Sequence, residues 1–504
     1  MPRKGGGRRR NKGSSSMMEA DDGDENYENV DHVDVLSDSH TIASFATSTT
    51  NNDNDLSGFE NVFGDDGGND GDLDQALLTG GGGSSADASS DAAQMVRQEK
   101  LAQALAPLLD LPTEKRSARR EGTLKKLFRA LTQFATGYEG STLVAQRLDE
   151  LTTACKYSLR AGSPSEQYAA CRVLEATAVI LFDCQDSFYE NIHKFLGIVI
   201  KSVQKATPVR VAALRAMAMC VFLMAQQQDD HEHVDPLLDL CQDACQVEWR
   251  NSTTPDALRA AALDCWTLVA TTVDPLEILI DDDDGRGTTV LLPVLQQALE
   301  QTTCMQLRSA AGECMSFLHE TRLSCGIITA TDDNVDTTAQ KYAQGSWEGS
   351  EWEDTVAEIQ QLIASLAVES TRHLSKKSKK ELRATFREFQ ATVVDDEAPS
   401  QVIAFRGAGT LELNSWREIV PLNFMRHCLQ GGFQIQLLTN PTLHEIFGAS
   451  SSLLNNGSGG YSQLEKRLLL SKTSQAAKEK DQALTKNRRK RQNVKNHFLT
   501  VDDE

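Results

Sequence analysis

Arg210-Val211-Ala212-Ala213-Leu214, Arg259-Ala260-Ala261-Ala262-Leu263 and Arg308-Ser309-Ala310-Ala311-Gly312 are one motif written three times, 49 residues apart each time. Gln167-Tyr168-Ala169-Ala170-Cys171 lies 43 residues before the first copy and keeps the alanines without the arginine. Arg116-Ser117-Ala118 sits another 51 residues upstream. Two adjacent small side chains let neighbouring helices approach closely, and an arginine early in a helix can reach a carboxylate or loop carbonyl next door. Paired helices repeating every ~40–47 residues stack into HEAT- and armadillo-type arrays, and insertions lengthen the period. The spacing therefore predicts an all-α fold built on a HEAT/armadillo-like α-solenoid.

The flanking sequence agrees. Leu101, Leu105, Leu108 and Leu109 mark one helical face, and Leu124, Leu127, Phe128, Leu131 and Phe134 the next. Leu143, Leu148, Leu151, Cys155 and Leu159 follow in the same spacing. Ser163-Pro164, Thr207-Pro208 and Thr254-Pro255 place a capping side chain before a proline at the first helical position. Residues 92–372 read as the repeat domain. A small α-rich C-terminal domain, separate from the solenoid, is expected over 373–448. It opens with a helix carrying Lys376, Lys377, Lys379, Lys380, Arg383 and Arg387 on one side and Leu382, Phe386, Phe389 and Val393 along its seam. Strand character appears only at Val402–Leu413, and a helix is expected from about Ser415 to Leu429. A Gly431-Gly432 stop and a short helix over Pro441–Phe447 come next. Residues 449–460, rich in Ser, Asn and Gly, read as a flexible linker, and 461–497 as a basic helix.

The charge is segregated. The 504 residues carry a formal net charge of −21 with 40% hydrophobic side chains, which describes a cored protein with long polar tails. Six basic groups fall within residues 1–12, after which no Lys or Arg occurs until Arg97, while nineteen carboxylates run from Glu19 to Asp91. Residues 1–91 thus read as a disordered acidic tail behind a basic N-terminus. The end of the chain is the reverse. Lys466, Arg467, Lys472, Lys478, Lys480, Lys486, Arg488, Arg489, Lys490, Arg491 and Lys495 face only Glu465, Glu479 and Asp481. Lys478, Lys480, Lys486, Arg488, Arg489, Lys490, Arg491 and Lys495 are the candidate RNA-binding residues. The helix Lys376–Arg387 is a secondary basic element, and Lys486–Arg491 also suits nuclear import. The acidic tail could lie on this basic end when RNA is absent, many weak contacts competing at high effective concentration.

Other chemistry finds no support. No apolar run approaches the length of a membrane span, so no membrane partner is expected. The 11 cysteines include no CxxC and no completed metal set, and they read as small core residues. His193, His319, His373 and His427 lack a nucleophile or acid at a telling offset. Asp281–Asp284 before Gly285 lacks the ligand alternation of a calcium loop. No catalytic residue, metal, cofactor or small-molecule substrate is expected.

Ile403-x-Phe405, Trp416, Phe424, Leu429-x-x-Gly432-x-Gln434 and Leu437-x-x-Asn440-x-x-Leu443-x-x-x-Phe447 follow in order and spacing the C-terminal domain of the interferon-related developmental regulator family. The helix Lys379-Lys380-x-x-Arg383-x-x-Phe386-Arg387 resembles the same family, as do the Arg-x-Ala-Ala repeats and the closing basic helix. The resemblance covers roughly residues 92–495. Glu479 and Asp481 interrupt the terminal helix, which is more uniformly basic in the family, and 449–460 is longer than the family's linker. The resemblance implies one of two roles. Members are described as factors of translationally inactive ribosomes, whose C-terminal helix lies in the tRNA and mRNA path. They are also described as nuclear co-regulators of transcription that recruit other proteins. The expected partners are accordingly the ribosome and its RNA, and proteins along the solenoid groove, in a cytoplasmic and nuclear setting.

Overall fold

The computed structural model describes residues 86–182, 185–228, 232–279, 288–301, 304–331, 352–368, 376–404 and 410–448. In chain order the helices are α1 (Ala86–Leu105), α2 (Ser117–Phe134), α3 (Gly137–Gln146), α4 (Leu148–Ala161), α5 (Pro164–Ile180), α6 (Gln185–Lys201), α7 (Thr207–Gln228) and α8 (Val234–Cys245). A two-residue hairpin, β1 (Glu248–Trp249) with β2 (Ser252–Thr253), leads into α9 (Asp256–Ala270) and α10 (Pro275–Leu279). Then come α11 (Thr288–Gln301), α12 (Met305–Thr331), α13 (Glu353–Val368) and α14 (Lys376–Val393). The antiparallel hairpin β3 (Gln401–Ala404) and β4 (Thr410–Leu413) precedes α15 (Trp416–Leu429), α16 (Phe433–Thr439) and α17 (Pro441–Ile446).

The predicted solenoid is present. α4, α6, α8, α11 and α13 form an outer row, each packed on the helix that closes its own unit: α5, α7, α9, α12 and α14. These closing helices, with α2 ahead of them, stack side by side as an inner row. An inner helix between the two ends of the row has neighbours on both flanks and behind, so it is largely apolar around its circumference. α7 is the extreme case. Thr207–Gln226 is long and apolar enough to cross a membrane, and its apolar stretch is buried inside the fold.

The arginine has a defined task in the first two copies of the motif. Arg210 Nε donates to the Ile200 carbonyl and Arg259 Nε to the Cys245 carbonyl, both at 2.9 Å. Each thereby satisfies a backbone oxygen in the last turn of the preceding outer helix, which has no partner within that helix. The alanines behind it are buried against the next unit. Arg116 does not share this role: it is the exposed residue before α2. The buried arginine there is Arg120, four residues on, whose Nε and Nη2 reach the Glu166 carboxylate at 2.8 and 2.9 Å. Ser163 caps α5 as expected. At α9 the start shifts by one residue: Pro255 takes the capping position, and the Thr254 N–H donates to the Val247 carbonyl at 2.8 Å.

The expected boundary at 373 does not exist in the packing. α14, which carries the secondary basic residues, pairs with α13 and lies against α12 as the last helix of the inner row. Its seam of Leu382, Phe386, Phe389 and Val393 is buried in the same core as the repeats. The third small residue of the last motif explains the fit: a Cβ on Gly312 would lie 2.4 Å from Phe389 Cδ2. Ile403, Leu411, Leu413, Trp416, Leu437 and Phe447 belong to that core as well, so the described residues after α14 form no separate small domain. An amphipathic helix followed by a glycine-rich break suggests a boundary, but here the apolar face packs back onto the repeats. At the other end, α1 begins at Ala86, inside the stretch expected to be a tail. The linker 449–460 and the basic helix 461–497 lie outside the described residues.

Two substitutions test this architecture by urea unfolding. Arg259→Ala should cost about 1–3 kcal/mol, since it strips a buried carbonyl of its donor. Gly312→Ala should cost about 1–3 kcal/mol by overpacking Phe389, and Gly312→Ala combined with Phe389→Leu should cost less than the sum of the two single changes.

Candidate functional site

The inner row is where a helical-repeat scaffold ordinarily receives a partner, and here the chain fills it itself. α15 lies across α12, α9 and α5, and the Gln430–Gly432 turn and α16 continue onto α2. The C-terminal segment therefore runs along the row against the order of the repeats. Asn440 then reaches the end of α5, its Nδ2 donating to the Val179 carbonyl at 2.9 Å while Oδ1 caps α17.

Charge fixes both ends of α15. The Glu320 carboxylate of α12 accepts from Ser415 Oγ at 3.1 Å and from the Trp416 and Arg417 N–H groups at 2.8 and 3.4 Å. At the far end Arg172 of α5 donates through Nη2 to the His427 and Cys428 carbonyls at 2.7 and 3.0 Å. An acid at the N-terminus and a base at the C-terminus both match the helix dipole. Between them, Arg215 of α7 bonds His427 Nε2 at 2.9 Å and Asp264 of α9 at 3.3 Å. Asn423 donates to Glu313 at 3.2 Å. Arg172 also pairs with Glu175. Gln436 extends the pattern, its Nε2 donating to the Thr132 and Ala135 carbonyls at the end of α2 at 3.1 and 2.9 Å.

Along this polar line the carboxylates are pushed up and the imidazole down. Burial, reinforced by the Asp264 charge, pushes Glu313 up to about 8. Burial raises Asp264 to about 6 despite Arg215. His427 is held well below the usual imidazole range by burial and by the neighbouring Arg215 and Arg172 guanidiniums, so it accepts from Arg215 as a neutral ring. It is a structural histidine, as read from its context. Cys155, Cys245 and Cys314 are buried and pushed up to about 12, the behaviour of core residues. Among the described residues no group of three or more His, Cys, Asp or Glu side chains is placed to hold a metal.

Most of the described residues singled out in the C-terminal string take part in the docking, and Phe405 lies outside the described residues. Trp416, Phe424, Leu429, Leu437, Leu443 and Phe447 are buried, Trp416 Nε1 donates to Thr392 at 2.9 Å, and a Cβ on Gly432 would meet the Thr132 carbonyl at 2.4 Å. Gln434 is only half-buried; the amide that caps α2 is Gln436. Its only signal in the sequence is a polar residue close after an expected glycine stop. The charged partners Arg172, Arg215, Asp264, Glu313 and Glu320 carry no such signal, because each looks like an ordinary charge on a helix until another helix covers it. Among the secondary basic residues, Lys380 and Arg387 are exposed on α14 and Arg383 is half-buried. The side chains of Lys376, Lys377 and Lys379 lie outside the described set. So do Lys478, Lys480, Lys486, Arg488, Arg489, Lys490, Arg491 and Lys495.

The fold is a helical-repeat array whose inner row is covered by its own C-terminal segment. Residues 75–394, from before α1 to the end of α14, match the interferon-related developmental regulator family, and the chain belongs to it. It is 24% identical to interferon-related developmental regulator 1 of Mus musculus and 22% identical to that of Homo sapiens. Each comparison runs over 362 residues, 69% of this chain and 72% of the relative. To interferon-related developmental regulator 2 of Mus musculus it is 24% identical over 367 residues, 71% and 75% of the two chains.

The polar line makes stability depend on pH. Glu313 keeps its proton in the fold up to about 8, whereas the unfolded side chain loses it near 4.5. The fold binds the proton more tightly, so this group lowers stability as pH rises between those values. Glu313→Gln keeps an acceptor for Asn423 and removes the titration. Its melting temperature should match wild type near about pH 4.5 and exceed it increasingly towards about pH 8. Parallel curves would contradict the assignment.

Proposed function

We propose that this protein is a non-enzymatic regulator that binds ribosomal RNA, with the repeat array as scaffold and the basic C-terminal segment as principal contact, on ribosomes that are not translating. The observation that carries the reading is the filled groove. With residues 415–447 seated along the inner row, a partner meets the outer helices and the residues beyond Gly448. Those residues begin with a short polar stretch and then bring eleven basic side chains against three acidic between Leu464 and Lys495. A basic segment on a tether suits an RNA-lined channel better than a flat protein face, because RNA is recognised through shape and phosphate. The second reading, a nuclear co-regulator of transcription, is supported by the relatives' naming as developmental regulators and by the import-like string Lys486–Arg491. Either reading implies a cytoplasmic and nuclear setting.

Sedimentation with ribosomes, using a nuclease control, separates them. Truncation after Ser458 should abolish association and leave the repeat array folded, since every described docking contact lies before it. Replacing Lys486, Arg488, Arg489, Lys490 and Arg491 by Ala should remove most of the affinity. For about six phosphate contacts the log–log salt slope is roughly −4 with the single-strand coefficient. A truncated chain that still co-sediments at about 0.15 M salt would overturn the tethered-segment mechanism. A five-residue variant that relocates in cells yet binds ribosomes normally would favour the nuclear role.

A further inference from the structure

The first inner helix carries a basic stripe. α2 has α1 and α5 as neighbours and the C-terminal segment over its inner face, which leaves one flank open. The exposed residues of α2 are Ala118, Arg119, Lys126 and Arg129, and the residue before it, Arg116, is exposed too. Arg116, Arg119, Gly122, Lys126 and Arg129 are three or four positions apart, so they fall on one face. The stripe is about 20 Å long at 1.5 Å per residue. At its centre a Cβ on Gly122 would meet nothing within 4 Å, so the surface there is open to a close approach. Alongside runs a cleft of ≈ 360 Å³ shared by Arg119, Gly122 and Lys126 with Pro107, Asp110 and Glu114.

The sign of this face runs against the molecule. The chain has 72 carboxylates against 51 basic side chains, so an exposed helix face chosen at random would be acidic. No carboxylate is among the exposed residues of α2. Glu121 is partly buried and already paired with Lys125 at 2.8 Å. Glu114 sits at the rim, held by the Arg116 N–H at 2.9 Å and by Arg119 at 3.3 Å. Lys126 and Arg129 form no ion pair with a described carboxylate. A line of guanidinium and ammonium groups, one or two turns apart, complements a phosphodiester chain, and guanidinium forks bind phosphate in two-point fashion.

We propose that the Arg116–Arg119–Lys126–Arg129 stripe of α2 is a second RNA site, holding the phosphodiester backbone of the RNA that the C-terminal basic segment engages. This inference rests on RNA being the partner. The two sites share the binding free energy, so losing one weakens but does not abolish association.

The test is fluorescence anisotropy of the full chain with a fluorescein-labelled stem–loop RNA, titrated across salt. The triple variant Arg119→Gln, Lys126→Gln, Arg129→Gln changes only exposed side chains and should fold as wild type. Its affinity should fall by roughly one to two orders of magnitude at low salt, and its salt slope should become shallower by about 2. Restoring charge with Lys at positions 119 and 129 should restore most of the slope. Wild-type affinity and slope in the triple variant would overturn the site and leave a solvated end face. Tighter binding would also overturn it and point to the chain's own acidic segment as the occupant. If wild type itself does not bind the RNA, the RNA reading falls as a whole. If wild type binds and the triple variant is unchanged, only the stripe falls.

Discussion

The docked C-terminal segment depends on one helix being held at both ends by charge. Glu320 receives the N-terminus of α15 and Arg172 receives its C-terminus, and the two belong to different units of the array. Between α5 and α12 the row also includes α7 and α9, so a single helix of 14 residues spans units whose sequences are otherwise independent. Repeat arrays are held together by contacts between neighbours alone. This one has, in addition, a brace that touches many units at once.

The brace is polar where a simpler design would be apolar. Arg172, Glu175, Arg215, Asp264 and His427 are all buried or nearly so, and desolvating such groups cancels much of their mutual attraction. Their value is in register. An apolar face of Leu and Ala accepts a helix at several offsets along the groove, whereas the His427 and Cys428 carbonyls meet the Arg172 fork at only one. Gln436 and Asn440 repeat the device at the ends of α2 and α5. Each commits a side-chain amide to a terminal helix carbonyl that would otherwise be buried without a partner.

The array is legible in the sequence because its determinants are local. The 49-residue spacing, Ser163 with Pro164, and the apolar faces of α2 and α4 are each complete within one or two units. The docking is not legible, because its determinants are spread over hundreds of residues. Leu382, Phe386, Phe389 and Val393 show that α14 has an apolar side without showing what covers it, and a small separate domain is the simplest guess. Glycine is the better signal. Gly312 and Gly432 stand where another element touches the backbone or where a ring fills the Cβ position, yet in sequence they read as a motif variant and a helix stop. The basic stripe on α2 is hidden for a related reason. Arg116 reads in sequence as part of the repeat motif, and its position beside Arg119, Lys126 and Arg129 emerges only once the helix is built.

The direction in which the segment runs has a consequence for how the protein is made. Gln436 bonds carbonyls of Thr132 and Ala135, more than 300 residues earlier in the chain. During synthesis every unit from α2 to α14 leaves the ribosome before the strip that covers them. The nascent array thus passes most of its elongation time with its inner face bare, and on that face Arg172 and Glu320 lack the backbone groups of α15 that they hold in the finished fold. Chains that terminate early, at a frameshift or a premature stop shortly upstream of Trp416, keep the repeats and lose the cover. Such products should be substrates for holdase chaperones, with a half-life set by the missing cover more than by the length that was made.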